Sequence, residues 1–265
     1  MKLIVQSDDL GITEAVSCGI EKGIRDGVVT CTGLFSNMPA AAFAAELIRP
    51  YPQVCLGQDI NLVAGSPCAD PGLIPSLVQK DGSFKTSGMH RQQDAQDGNQ
   101  DHVVYEECLI EVEAQIRRFL ELTGKKPEYL HGHSYSTPAV WKAMETMGER
   151  YGIPLVKNML AKYGAVRLGS SWNKKPFPLE EQMSADPMGC ILSDREFVKN
   201  PLGFIGTHCG YIDDNLFQVS TYTLIRTRDL AAVISPRMRQ WLQDNQIQLI
   251  SYRDLISQEG ASEHA

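Results

Sequence analysis

Short β-forming runs alternate with amphipathic helical stretches along the chain, and this alternation restricts the fold more than any other feature of the sequence. In the helical stretches, apolar residues recur three or four positions apart, as they do on one face of a helix. This order is typical of βα units around a largely parallel sheet, so the sequence predicts an α/β fold. The predicted strands are residues 2–6, 28–35, 54–60, 128–131, 154–157, 203–208 and 247–251, and the predicted helices are residues 12–26, 40–48, 103–122, 138–151, 224–234 and 236–245.

Composition excludes several classes of function. The 265 residues are 43% hydrophobic, which is enough to bury the core of one large domain, and we expect a single domain over residues 1–265. A net charge of -7 disfavours binding to nucleic acid or to anionic lipid. The first residues turn polar after five positions and no later stretch has the length of a membrane span, so we expect a cytoplasmic protein.

The seven cysteines do not form a recognisable framework. They are odd in number, scattered and without CxxC spacing, so neither a set of disulfides nor a zinc ribbon is indicated. We interpret most of them as small buried apolar residues.

Two polar segments interrupt the alternation, at residues 80–101 and 168–184. The first is rich in Gly, Gln, Asp and Ser, and the second in Ser, Lys and Pro. Segments of this length are either lids and binding loops or plain surface, and the sequence leaves both interpretations open.

Polar side chains that are suited to catalysis follow the predicted strands. Asp8 and Asp9 come directly after the first strand, where two adjacent carboxylates lose solvation and repel each other unless they share a cation or a proton. One of them could bind a metal while the other acts as a base. Alternatively, Asp9 could cap the following helix.

Three histidines and a further carboxylate occupy similar positions. Asp59 ends the third strand, and His131 and His133 lie at the end of a later strand, separated by one glycine. Carboxyl ends of parallel strands meet at one edge of a sheet, so the pattern favours a metal site over isolated structural histidines. His208 ends another strand and is a candidate acid or base, whereas its neighbour Cys209 faces the opposite side and is a poor candidate nucleophile.

These segments resemble, in order, the motifs of the YdjC (ChbG) family of carbohydrate deacetylases, and the resemblance covers nearly the whole chain. The matching segments are SDDLG at 7–11, GQDINL at 57–62, DGSF at 81–84, HGH at 131–133, THCGY at 207–211 and IQLISYRDL at 247–255. The chain resembles a divergent member of that family. The resemblance implies a distorted (β/α) barrel with mostly parallel strands, similar to polysaccharide deacetylases.

The resemblance also implies roles for individual residues. Asp9 and His133 would bind a divalent metal together with Asp59, Asp8 would orient or deprotonate the attacking water, and His208 would protonate the leaving amine. The metal is expected to be Mg²⁺, with Zn²⁺ or Mn²⁺ as alternatives. The residues expected to contact the sugar are Asn61, His131, Tyr135, Tyr211 and Arg226.

The chain departs from the family pattern at four positions. Asp59 stands where the family has a metal-binding His, and His131 stands where it has Asp. A further family His is Tyr135, and a family Pro is Cys209. A carboxylate in place of an imidazole suits magnesium or manganese and adds negative charge.

The resulting expectation is a hydrolase that removes an N-acetyl group from a small saccharide, with or without a phosphate. One alternative is another metal-assisted cleavage or isomerisation of a phosphorylated disaccharide, and a second is a catalytically dead carbohydrate-binding protein. The expected partner is a small saccharide, without nucleic acid or membrane, and the sequence leaves a homodimer open.

Overall fold

The computed structural model describes residues 1–96, 98, 101–168 and 177–262. Its strands are β1 (Lys2–Leu10), β2 (Cys31–Leu34), β3 (Cys55–Ile60), β4 (Leu130–Gly132), β5 (Val166–Arg167), β6 (Leu202–Thr207) and β7 (Gln248–Ile250). Its helices are α1 (Glu14–Arg25), α2 (Ala41–Ile48), α3 (Ser87–Gln96), α4 (Tyr105–Thr123), α5 (Pro138–Tyr151), α6 (Val156–Lys162), α7 (Leu179–Ser184), α8 (Pro187–Ser193), α9 (Asp214–Val219), α10 (Leu224–Val233), α11 (Pro236–Asp244) and α12 (Tyr252–Ser262).

The strands form one parallel sheet in the order β4–β3–β2–β1–β6–β5, with β7 paired to β1. β7 pairs with residues 2–4 of β1, whereas β2 pairs with β1 only from Gln6 onward. β1 therefore lies at the centre of the sheet and has a neighbour on each side along most of its length. Because all the strands are parallel, the residues at their carboxyl ends lie at one edge, where functional groups collect in such folds.

The sheet is buried on both faces. One face packs an apolar cluster that includes Ile4, Cys31, Cys55 and Tyr129, with side chains from α6 and α12. The other face is covered by helices, through a cluster that involves α1, α2 and α10 and a second cluster that involves α4 and α5. Burial on both faces is typical of parallel sheets and explains why their strands are almost continuously apolar.

Most of the predicted elements are confirmed, and α5 begins and ends where the pattern placed it. The predicted strand at residues 154–157 is wrong. Leu155 makes a single bridge to Leu130, and α6 begins at the next residue. Its apolar run is short, and a short apolar run does not distinguish a strand from a buried helix.

The two polar segments contain helices of their own. Residues 87–96 of the first segment form α3, and residues 179–184 of the second form α7. Residues 97, 99, 100 and 169–176 lie outside the described part of the chain. That these segments act as lids stays a prediction, as does the single-domain organisation. Within the described residues, no helix combines the length and the apolar character needed to cross a membrane.

A buried carboxylate joins α4 to the loop that follows β3. Glu111 is fully buried and accepts hydrogen bonds from the backbone N–H groups of Cys68 and Ala69 and from the side chain of Gln115. Gln115 in turn bonds to the backbone of Asn61 on both of its amide atoms. Burial raises the pKa of Glu111 to about 7, although these three donors oppose the shift.

This pKa shift predicts a pH-dependent loss of stability. Glu111 binds its proton more tightly in the folded protein than in the unfolded chain, so its contribution is complete below about pH 4.5 and is lost as the pH rises to about 7. The difference corresponds to about 3 kcal/mol. Glu111→Gln should remove this slope, and urea unfolding of both proteins at pH 5 and pH 8 measures it. Parallel pH profiles would contradict the prediction.

Candidate metal centre

The ends of four strands bring together the carboxylates and histidines that the sequence singles out. Asp8 and Asp9 end β1, and Asp59 lies near the end of β3 beside His131 of β4, its partner in the strand register. The pairing of β1 with β2 is irregular between Ser7 and Leu10, and Asp9 has a φ of 72°. The left-handed region is rare for residues other than glycine, but Asp adopts it more readily than most. This turn lets two consecutive carboxylates contact different histidines.

Three side chains form a group that could hold a metal ion: Asp8, Asp59 and His131. One ligand atom from each lies within 4.8 Å of the others. Nδ1 of His131 is 3.3 Å from Oδ1 of Asp59 and 3.8 Å from Oδ1 of Asp8. Oδ1 of Asp59 and Nδ1 of His131 are both buried, and in the described structure neither has a polar partner at hydrogen-bonding distance other than this 3.3 Å contact with each other. Two buried ligand atoms that depend on each other in this way fit a divalent cation, because buried polar atoms without good hydrogen bonds are costly.

A glycine on the neighbouring strand provides the room for Asp59. A Cβ atom at Gly33 of β2 would lie 1.8 Å from Oδ1 of Asp59, far inside van der Waals contact. The other carboxylate oxygen of Asp59 accepts the backbone N–H of Asp9 at 3.0 Å. The carboxylate is therefore fixed between two strands, with one oxygen directed toward His131.

The charges in this group depend on one another. Burial raises the pKa of Asp8, as does Asp59, although the neighbouring His131 opposes the shift. Burial alone would lower the pKa of His131, but the charges of Asp8 and Asp59 outweigh it and raise that pKa to about 9. Positive charge is thus favoured at this position, whether it is carried by a proton or by a metal.

Asp9 belongs to a different set of contacts. Its Oδ2 accepts a hydrogen bond from Arg226 at 2.6 Å, and both side chains are 1% exposed. Its Oδ1 lies 3.0 Å from Nδ1 of His133. Burial alone would raise the pKa of Asp9, but His133 and Arg226 together hold it well below its usual range. Asp9 is therefore ionised, with a guanidinium already bound to one of its oxygens.

His208 approaches the metal-capable group from the other side. It follows β6, and its Nε2 lies 4.0 Å from Oδ2 of Asp8. Its backbone N–H donates to Asp229 at 2.7 Å. Burial lowers the pKa of His208 although Asp9 and Asp8 oppose the shift, so its imidazole can accept a proton at neutral pH. Burial raises the pKa of the neighbouring Cys209 to about 12, so its thiol remains protonated and is a poor nucleophile.

The residues predicted to contact the sugar have different environments. Asn61 is fully buried, and its side chain bonds to Asn37, to the carbonyl of Ala64 and to two backbone N–H groups of its own loop. Tyr135 is buried and bonds to Asp94. Arg226 is paired with Asp9, whereas Tyr211 is 43% exposed. Asn61, Tyr135 and Arg226 are therefore buried and already hydrogen-bonded, and only Tyr211 among these four has an exposed side chain.

Sequence reasoning missed two polar residues that support Asp8: Gln6, which contacts it directly, and Tyr252, which contacts Gln6. Gln6 donates a hydrogen bond from its side chain to Oδ1 of Asp8 and accepts one from the hydroxyl of Tyr252 at 2.6 Å. Gln6 did carry a signal, because it is polar directly after the apolar run 3–5 and lies on the same face as Asp8, two residues away. Tyr252, which is 244 residues from Asp8 in the chain, carried no such signal.

Comparisons with known proteins support the same family. A carbohydrate deacetylase 2 of Listeria innocua is 33% identical over 267 residues, which span 96% of this chain and 99% of that protein. A crystal structure from Enterococcus faecalis, described as a cellobiose-phosphate cleavage protein, has a TM-score of 0.77 at 24% identity and spans 96% of this chain and 98% of its own. The Xyl-CE4 domain of a multidomain xylanase from a Trinervitermes trinervoides hindgut metagenome has a TM-score of 0.52 at 8% identity and spans 97% of this chain and 90% of its own.

At these identities the two structures show the fold alone, and they confirm the predicted distorted barrel with mostly parallel strands. The family model described as YdjC-like protein matches residues 2–244, which is most of the chain. The resemblance drawn from the motifs is confirmed by this match and by the Listeria relative. The chain therefore belongs to the YdjC-like protein family.

Proposed function

We propose that this protein is a metal-dependent hydrolase that removes an N-acetyl group from a small sugar or oligosaccharide. The observation that carries the proposal is the group of Asp8, Asp59 and His131 at the carboxyl edge of the sheet, in which the buried ligand atoms of Asp59 and His131 have, within the described residues, no polar partner at hydrogen-bonding distance other than each other. The curated relative from Listeria innocua, a carbohydrate deacetylase by name, supports the reaction.

We assign the metal to Asp8, Asp59 and His131 rather than to the set expected from the resemblance, which was Asp9, Asp59 and His133. One oxygen of Asp9 already accepts a hydrogen bond from Arg226, and a divalent cation bound to Asp9 would lie beside that guanidinium. Two carboxylate oxygens and one imidazole nitrogen suit Mg²⁺ or Mn²⁺, and also Zn²⁺. A bound cation would supply Lewis acidity for the amide carbonyl and for the attacking water.

His208 performs the proton transfers in this proposal. Its lowered pKa keeps it neutral, so Nε2 can accept the proton that leaves the attacking water. The imidazolium that forms is stabilised by Asp8, 4.0 Å away, and it returns the proton to the nitrogen as the C–N bond breaks. Acetate and a free amine are the products. Asp9, which is itself held by Arg226, contacts His133 at 3.0 Å, and Tyr211 is exposed for contact with the sugar.

The reaction is tested with N,N'-diacetylchitobiose as substrate and protein loaded with Mg²⁺, Mn²⁺ or Zn²⁺. We expect acetate release that a chelator abolishes and that one of these metals restores, because the carboxylates cannot polarise the carbonyl by themselves. Saccharide binding without acetate release under every metal condition would contradict the proposal and would favour the carbohydrate-binding alternative.

An exposed cation favours a phosphorylated substrate as the second candidate. Arg167 of β5 stacks its guanidinium 4.6 Å above the ring of Phe204 and lies over Gly206 of β6. Its charge acts on His131 and Tyr252, which places it near the metal-capable group. No carboxylate in the described part of the chain forms an ion pair with it. An anionic group on the sugar would find a counter-charge there, in a site otherwise rich in carboxylates.

Arg167→Gln separates a phosphorylated substrate from a neutral one. We expect the variant to raise KM for diacetylchitobiose 6-phosphate about tenfold, because a charge-assisted contact to the phosphate is lost, and to leave KM for the neutral disaccharide unchanged. Product masses from the same reactions distinguish deacetylation from cleavage or isomerisation of the disaccharide. Equal effects on both substrates would exclude Arg167 as the phosphate contact.

A further inference from the structure

Two histidines form a buried pair outside the metal-capable group. Nδ1 of His90, in α3, lies 3.1 Å from Nε2 of His102, which precedes α4. Nδ1 of His102 lies 2.6 Å from Oδ1 of Asp94, and Nε2 of His90 lies 3.3 Å from the carbonyl oxygen of Leu62. Tyr135 stacks on His90 with ring centroids 4.5 Å apart and donates its hydroxyl to Asp94.

The number of protons in this chain of contacts can be counted. A carbonyl oxygen only accepts, and the Asp94 carboxylate also only accepts while it is ionised. The contact of His102 with Asp94 therefore needs a proton on the His102 nitrogen, and the contact of His90 with Leu62 needs one on the His90 nitrogen. The contact between the two rings needs a third proton. Two neutral imidazoles carry only two N–H protons. The three contacts are all satisfied only when the pair carries one extra proton.

The geometry favours His102 as the site of this proton, because its Nδ1 lies 2.6 Å from the carboxylate of Asp94. Burial and the neighbouring His102 lower the pKa of His90 to about 4, so His90 is neutral at neutral pH. Burial alone would raise the pKa of Asp94, but His102 and Tyr135 outweigh it and keep the carboxylate ionised. The other titratable or charged groups around the pair are Lys85, which faces His90, and Asp101 and Cys108, which face Tyr135.

The pair joins three parts of the protein that surround the candidate site. His90 and Asp94 belong to α3, Leu62 follows β3, and Tyr135 lies two residues after His133. Arg91 of α3 adds a hydrogen bond to the carbonyl of Ser134 at 2.8 Å. The contacts of His90 with Leu62 and Tyr135 therefore hold α3 against loops that carry site residues, and His102 joins α3 to the segment before α4.

We propose that His102 and His90 are positioning residues that share one extra proton, with His102 as the imidazolium and His90 as the neutral Nε2–H tautomer, and that this proton holds α3 against the loops after β3 and β4. Loss of the proton leaves one of the three contacts without a hydrogen, and α3 then loosens. Neither the protonation state nor its effect on α3 depends on the proposed function.

The protonation state is tested by ¹⁵N NMR of the imidazole nitrogens in the full chain at neutral pH. We expect both nitrogens of His102 to be protonated and His90 to carry its proton on Nε2 alone. As the pH rises and the pair loses its proton, the protection of α3 amides against hydrogen exchange, corrected for intrinsic rates, should fall about tenfold, as for one charge-assisted hydrogen bond. A neutral His102 at neutral pH would overturn the proposal.

Two variants separate the shared proton from general loosening of the segment. Asp94→Asn removes the counter-charge and should lower the pH at which the pair loses its proton, together with the pH at which α3 protection falls. Asp81→Asn removes an exposed carboxylate of the same segment, which bonds only to Ser83 among the described contacts, and should leave both unchanged. An α3 protection that shows the same pH dependence in all three proteins would reject the role of the pair, whether or not acetate is released.

Discussion

Asp59→Asn is expected to lower acetate release and metal affinity by at least about 100-fold while leaving the fold intact. Removal of groups that only support a metal ligand already costs 10- to 100-fold, and Asp59 is in our proposal a ligand itself. The amide oxygen of Asn can still accept the backbone N–H of Asp9, so the link between β1 and β3 survives. The substitution removes the negative charge of Asp59. It also replaces the oxygen directed toward His131 with an amide N–H₂ group, which donates hydrogen bonds and does not bind a cation.

Isothermal titration with Mg²⁺, Mn²⁺ and Zn²⁺ measures the affinity, and acetate release at saturating metal measures the turnover. Asp244→Asn is the matched control, because this exposed carboxylate ends α11 and bonds only to Gln240 among the described contacts. If Asp59→Asn bound metal as tightly as the unaltered protein, the proposed ligand set would be wrong. If it bound metal normally and lost activity, Asp59 would act on the substrate instead.

The sequence was sufficient to predict which strand ends bring the carboxylates and histidines together. Parallel strands place their carboxyl ends together, so the order of the motifs in the chain is enough to predict that Asp8, Asp59, His131 and His208 meet at one edge of the sheet. The contacts among these four side chains agree with that expectation. The strand alternation and the family pattern both depend on local sequence, which explains why they could be recognised.

The different contacts of Asp8 and Asp9 could not be read from the sequence. They follow from the left-handed backbone at Asp9 and from the irregular register of β1 with β2, which neither residue type nor spacing reveals. The partner of Asp9 was equally hidden, because Arg226 comes from a helix 217 residues later in the chain. Gly33 was not singled out either, since the clash that a larger residue would cause depends on the position of Asp59 across the sheet.

Arg226→Met is expected to destabilise the fold by about 3–5 kcal/mol, the usual cost of leaving one partner of a buried ion pair alone. Both side chains of the Arg226–Asp9 pair are 1% exposed, so water cannot replace the guanidinium. Arg226 also donates to the carbonyl of Tyr222, and this hydrogen bond is lost as well. Methionine fills part of the volume, so the loss should come mainly from the charge of Asp9, which then keeps only His133 as an ion-pair partner among the described residues.

Adding Asp9→Asn to Arg226→Met tests this cause. The double variant removes the carboxylate that lost its guanidinium, and urea unfolding at pH 7 should show most of the lost stability restored. The pH dependence provides a second test. In the unaltered protein the lowered pKa of Asp9 contributes stability above about pH 4, and this stability is lost as the pH falls. In Arg226→Met, protonation of Asp9 at low pH removes its buried charge and stabilises the fold. The difference in unfolding free energy between the two proteins should therefore shrink toward low pH. A difference that is constant with pH, and that Asp9→Asn does not reduce, would place the cost in packing rather than in the ion pair.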